Sequence, residues 1–206
     1  MINASLLTDG SSDRVLIPIL EWLVGVLTPT PLAVQWVDLR GIRSRPTALR
    51  DRVNEALRLY PCDMLFVHRD AEGQPAELRY REITTAMPAH RRGVPVVPVR
   101  MQEAWLLHDE RALRKAAGRP SGAEPLHLPS LSRVERVSDP KATLHGALLT
   151  AAGVTGRRRR AFDATGTAQR LAGLIKDWTP LRQLPAFTRL EADTRTALGQ
   201  LKVTLK

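Results

Sequence analysis

A single cysteine, Cys62, is all that 206 residues supply. An internal disulfide and any multi-thiolate metal site are thereby excluded, and the usage suits a reducing, cytoplasmic setting. The start of the chain has no basic stretch ahead of an apolar run, so no signal peptide is expected. The longest apolar run, VLIPILEWLVGVL (15–27), carries Glu21 in its middle and is too short to span a bilayer. It reads as a core helix, and no membrane partner is expected. The five histidines (68, 90, 108, 127 and 145) lack the spacing of a zinc site. A G-x-x-x-x-G-K-[ST] phosphate-binding loop is missing as well, so any ATPase activity must reside on another subunit. There is no internal repeat, and no biased tract apart from GRRRR at 156–160.

What is present is enough for a core: 43% of the residues are hydrophobic, which argues against wholesale disorder. The net charge of +10 is unevenly spread. From Ala151 to Lys206 there are 11 Lys/Arg against 4 Asp/Glu, a net +7, and the first 150 residues carry the remaining +3. A basic end on a nearly neutral body points to a polyanion partner, nucleic acid or an acidic protein surface. Arginine used as a generic surface residue would give the same count.

The first hundred residues alternate. INASLLTDG reads as a strand, and Ser11-Ser12 can cap a helix over about Asp13 to Leu27, with Pro18 early in it. LAVQWVDLRG is a second strand. RPTALRDRVNEALRLYP puts Leu49, Val53, Ala56 and Leu57 on one helical face and stops at Pro61. DMLFV is a third strand, PAELRYREITTAMPAHR a helix to about Met87, and VPVVPVRM a fourth strand whose prolines suit an edge. EAWLLHDERALRKAAG reads as one amphipathic helix ended by Gly118. The fold class is therefore α/β, an open, mainly parallel sheet flanked by helices. From RPSGAEPLHLPSLSR onward the pattern is loop and then helices only, at about Pro140 to Ala152, Ala164 to Trp178 and Pro185 to Leu201. The expected division is a core at 1–118 and a helical, basic region at 119–206, packed on the core or appended to it.

Acids gather where strands end. Asp9 and Asp13 follow the first strand, Asp70 and Glu72 the third, and Glu103 the fourth. In an open parallel sheet these loops share one end, where ligands bind. Five carboxylates converging there would repel one another unless a cation sat among them. Hard oxygen donors without Cys or paired His suit Mg²⁺ or Mn²⁺ rather than Zn²⁺. Each acid also has a plainer reading: a turn for Asp9-Gly10, a helix-dipole partner for Asp13 or Glu103. Asp70 and Glu72, flanking Ala71, are harder to explain as a turn. His68 and Arg69 just before them can meet a scissile phosphate, although His68 can equally be a packed strand residue. Arg157, Arg158, Arg159 and Arg160 form a phosphate-contacting patch or an ordinary solvated face. Trp22, Trp36, Trp105 and Trp178 read as core rather than as base-stacking platforms.

An acid-Gly-x-x-acid turn after strand one, TDGSSD, and a later strand ending in RDAEG resemble the TOPRIM domain of topoisomerases, primases and overcoming-lysogenization-defect (OLD) nucleases. QEAWLL, DPKATL and PAFTRLEADTRTAL are similar to a TOPRIM-like family named domain of unknown function 4276, over nearly the whole chain. Two positions depart from the pattern: Asp9 stands where Glu is usual, and Glu72 where Asp is usual. Each keeps its carboxylate and changes its reach by one methylene. The resemblance implies a Mg²⁺- or Mn²⁺-dependent nuclease, with Asp9, Asp70 and Glu72 as direct ligands and Asp13 and Glu103 completing the site. It also implies that Lys141, which matches a family position, neutralises the acids or a phosphate. Nucleic acid, DNA ahead of RNA, is the implied substrate. A separate ABC-type ATPase is the implied partner, often in defence against phage; self-association is left open. No tyrosine is placed as a topoisomerase nucleophile, since Tyr60 ends one helix and Tyr80 lies in another. A non-catalytic module that binds nucleic acid or an ATPase is the alternative. A phosphoacceptor receiver domain ranks last, because Arg100-Met101-Gln102 supplies neither the Lys nor the Ser/Thr it needs.

Overall fold

The computed structural model describes residues 1–42 and 46–206. The expected second helix begins at Arg45, which lies outside the described residues. Four strands, β1 (Ile2–Leu7), β2 (Leu32–Trp36), β3 (Met64–His68) and β4 (Gly93–Val96), form one sheet in the order β2-β1-β3-β4. Every pairing is parallel. The chain runs from β1 outward to β2 and then crosses back to β3 and β4. The switch point, where a doubly wound sheet opens a crevice, therefore lies between the carboxyl ends of β1 and β3.

Side-chain alternation explains why β3 is apolar throughout. Met64 and Phe66 enter one core, while Leu65 and Val67 enter the other. The second core lies under α2 (Leu49–Leu59) and α3 (Ala76–Ala86), through Val53, Ala56, Tyr80 and Ile83. The first and larger core takes α1 (Leu16–Leu27), α4 (Glu110–Ala116), α6 (Pro140–Ala152), α8 (Ala164–Leu174) and α9 (Pro185–Gln200). Its largest fully buried side chains include Trp105, Trp178 and Phe187, with Trp105 meeting Phe187 edge-on at 5.5 Å. Trp105 and Trp178 are core, as expected; Trp22 and Trp36 are half-buried. Two short helices, α5 (Leu131–Val134) and α7 (Gly156–Arg160), complete the set. No described helix is long and apolar enough to cross a membrane.

β4 pairs with β3 alone, so the edge position expected from its prolines is the observed one. Three expectations are corrected. The segment read as one helix from Glu103 to Gly118 is two elements, a 3₁₀ turn at Gln102–Leu106 and then α4. Asp109 causes the break: its carboxylate accepts the Ala112 amide at 2.8 Å and so caps a new helix. The segment before α1 is likewise a 3₁₀ turn (Ser11–Val15), held by Asp13 rather than by a serine cap. Pro18 falls in the first turn of α1, where its missing N–H has no helical partner to lose. The second C-terminal helix segment ends sooner than expected, at Leu174, and Trp178 fills the core from the turn beyond it.

Candidate functional site

A cavity of about 330 Å³ opens at the switch point. Asp9, Asp13, His68, Arg69, Asp70, Glu72, Glu103 and Lys141 all line it, so one hollow collects residues 132 positions apart. The loop after β3 is fixed by the loop after β4, along which it continues the ladder. Ala71 N donates to Pro98 O at 3.1 Å, Glu72 N to Arg100 O at 3.1 Å and Gly73 N to Val99 O at 3.3 Å.

That ribbon answers why two acids flank a small residue. Ala71 turns into the core beneath and is fully buried, which a larger side chain could not do without displacing it. Asp70 faces the cavity. Glu72 and Gly73 then both take left-handed backbone, φ +53° and +81°. This swings the Glu72 side chain outward, where it is 64% exposed and 3.5 Å from Arg79. Gly73 suits its φ of +81°, and a Cβ there would also crowd the Arg100 guanidinium at 3.1 Å.

The acids accordingly divide into two groups. Asp9 accepts from Nη1 of Arg52 at 2.5 Å and lies 3.1 Å from Nε of Arg69. Arg69 also bonds Glu82, which pairs with Arg79, which reaches Glu72. Asp9 and Glu72 are thus the ends of an arginine-laced chain along one rim. The second group, buried at Asp13 and Glu103 and half-buried at Asp70, lacks such partners. Asp13 accepts from Gly10 N (3.0 Å), Ser12 Oγ (3.0 Å) and Gln102 Nε2 (2.9 Å), all uncharged. Oδ1 of Asp70, Oε2 of Glu103 and Oε1 of Gln102 are buried without a hydrogen-bond partner.

The electrostatics follow this division. Burial pushes the Asp70 carboxyl up to about 7, and Glu103 and Asp13 push the same way, against His68 and the Gln102 backbone. Burial also raises Glu103, with Asp13 adding to it and Lys141 and His68 opposing. His68 is itself buried, with Nδ1 3.0 Å from Val96 O. A carbonyl can only accept, so Nδ1 carries the hydrogen and Nε2 is the nitrogen that faces Asp70 Oδ1 at 3.4 Å.

Cations edge the hollow. Lys141 sits in the first turn of α6, whose start is set by Asp139 accepting the Ala142 amide. Among the described residues Lys141 makes no hydrogen bond or ion pair. Arg79 donates to Asp70 O at 3.1 Å. His145, one turn after Lys141, shares a small recess with Glu103 and is lowered by burial and by the Lys141 charge. Sequence reasoning missed Gln102 and Arg52, whose partners Asp13 and Asp9 lie 89 and 43 positions away, and also Arg79 and His145. Arg157 to Arg160 are all exposed on α7, and none of them lines this cavity.

Bare, buried oxygens on Asp70 and Glu103, two carboxyls raised by burial and by neighbouring acids, fit a hard divalent cation, which would supply the missing positive charge. Among the described residues, however, no group of three His, Cys, Asp or Glu is spaced as an assembled metal site. Asp70 and Glu103 would have to draw in toward Asp13 around an ion. No protein-family model matches this chain, and neither a curated protein nor a solved structure matches it.

Proposed function

We propose that this chain is a TOPRIM-like nuclease, dependent on Mg²⁺ or Mn²⁺, that cleaves phosphodiester bonds in nucleic acid. The observation that carries this reading is the trio Asp13, Asp70 and Glu103, uncompensated at the switch point and ringed by Lys141, Arg79 and Arg69. An acidic floor under a basic rim suits a cation that in turn holds a phosphodiester. A pocket meant for an anion alone would not gather three carboxylates on its floor.

Bound there, the cation would activate a water molecule and neutralise the charge developing on the leaving oxygen. Asp70 and Glu103 would hold it through their unpartnered oxygens. Asp13, locked by three donors, would orient the trio rather than move. His68 keeps Asp70 aimed by its own anchor on Val96 O. Lys141 and Arg79 would take the phosphate oxygens. The exposed arginines of α7 would meet more distant phosphates of the same strand. With no phosphate-binding ATPase loop in the chain, we place it as the effector of an anti-phage defence system that works with a separate ABC-type or OLD-like ATPase subunit.

One observation favours a second reading. Asp9 and Glu72, the two positions that depart from the TOPRIM pattern, are engaged by arginines. A non-catalytic TOPRIM-like module that binds nucleic acid or an ATPase would tolerate this. Cleavage of labelled DNA and RNA strands with Mn²⁺, by the chain alone and by its complex with the ATPase, separates the two. Cleavage abolished by EDTA, by Asp70→Asn and by Glu103→Gln is expected, mainly in the complex. Binding without cleavage in both preparations would establish the module instead.

A further inference from the structure

A second cavity, of about 310 Å³, lies along the free edge of β4, at the amino-terminal end of that strand and away from the acids. Its walls come from α3, from the Arg91-Arg92 approach to β4, and from α9. Three groups in it have unspent hydrogen-bonding capacity. Tyr80 is 4% exposed, yet its hydroxyl has no partner. The ring is pinned, with the Arg189 guanidinium 3.4 Å above its centroid and Arg189 itself held by Glu77 at 2.7 Å. Arg92 gives Nη2 to Gln200 O at 3.2 Å, while its Nε is buried and donates to nothing. Arg91 is exposed at the mouth. Lining the same cavity is one carboxylate, Asp193, which is raised by burial against the pull of Arg189.

Buried donors without acceptors cost free energy unless something fills them. A β-strand cannot be the occupant, because Pro95 removes the N–H in the middle of this edge. The arginines and the tyrosine hydroxyl call for an anion, and a lone carboxylate among them calls for an anion that still carries a hydrogen.

We propose that this cavity binds a phosphate group that retains one hydrogen, either free hydrogenphosphate or a small phosphate monoester. Tyr80 and Arg92 donate to its oxygens, Arg91 neutralises it at the mouth, and Asp193 accepts its hydrogen. Sulfate, of the same shape and without that hydrogen, meets Asp193 as a repelling charge. The proposal is independent of the nuclease reading, since it uses none of the residues at the switch point.

The test is calorimetric titration of the full chain in EDTA at about pH 6, where a phosphate monoester is close to half protonated. The probes are inorganic phosphate, ribose 5-phosphate and sulfate. Saturable binding of either phosphate is expected, with sulfate at least about tenfold weaker, a difference of about 1.4 kcal/mol. Tyr80→Phe and Arg92→Gln should each weaken binding about fivefold or more, and Asp70→Asn should leave it unchanged. Tyr80→Phe deletes only an unpartnered hydroxyl, so its fold is safe even if Arg92→Gln fails to fold. Tighter binding of ribose 5-phosphate than of phosphate would assign the rest of the cavity to the ester. No saturable binding of either phosphate, equal binding of sulfate, or full affinity in Tyr80→Phe would overturn the proposal.

Discussion

Asp9 accepts a hydrogen bond from Nη1 of the buried Arg52 at 2.5 Å, while the same guanidinium gives Nη2 to Thr8 O at 2.6 Å. The acid that ends β1 is thereby tied to the helix that follows β2. From Arg52 the ion pairs run through Asp9, Arg69, Glu82 and Arg79 to Glu72. This chain neutralises one set of carboxylates and leaves Asp13, Asp70 and Glu103 without an arginine partner. Acids that look alike in sequence therefore have opposite energetic roles.

Asp9→Asn is expected to destabilise the protein, because it removes the charge that compensates a buried guanidinium. The Asp9 side chain is 51% exposed, so solvent screening limits the loss to about 1 kcal/mol. For a chain of this size that lowers the Tm by roughly 2–4 °C. Thermal melts in EDTA check it. An unchanged or higher Tm would show that the Arg52 pairing contributes nothing.

Asp70→Asn should act the other way, with a pH signature. The folded carboxyl titrates at about 7 against an ordinary 3.8, so the folded state holds the proton more tightly. Stability is therefore full below about pH 4 and declines as the pH rises toward 7, by at most about 1.4 kcal/mol per unit. The variant escapes that decline. In metal-free buffer at about pH 8 it should be more stable than the wild type, by on the order of 1–4 kcal/mol. Near pH 4 the two should coincide. Urea titrations at both pH values decide it, and parallel curves would place Asp70 in open solvent.

Millimolar Mn²⁺ should raise the Tm of the wild type, since a ligand of the folded state alone stabilises it by about 2.7 kcal/mol at a hundredfold excess over Kd. Asp70→Asn and Glu103→Gln should lose most of that shift, and Asp9→Asn should keep it. Loss in Asp9→Asn alone would move the cation to the arginine-laced rim.

Replacing Arg157 to Arg160 with Ala should leave the fold intact, because all four are exposed and outside both cores. The slope of log affinity for duplex DNA against log salt should fall by up to about 0.9 for each phosphate that these arginines neutralise. Salt titrations of binding by anisotropy measure it. A constant slope would assign α7 to a protein partner or to solvent.

The alternation of strands and helices was legible from apolar runs bounded by Gly and Pro, because burial on two faces leaves a continuous apolar imprint. The edge position of β4 was legible because Pro95 cannot donate to a ladder. Less visible was the break after Leu106: Asp109 lies within an unbroken helical periodicity, and only its capping bond shows that a new helix starts.

At the site, sequence alone determined which loops bring carboxylates to the carboxyl end of the sheet, since strand direction is all that convergence requires. The TOPRIM resemblance ranked Asp9, Asp70 and Glu72 ahead of Asp13 and Glu103. Tertiary structure decided which acids are left uncompensated. Arg52 and Arg69 reach Asp9 across 43 and 60 positions, and Gln102 reaches Asp13 across 89. Burial and partner charge belong to neighbours in space. Spacing along a chain records neither, so five similar acids became two groups only when the helices closed over the sheet.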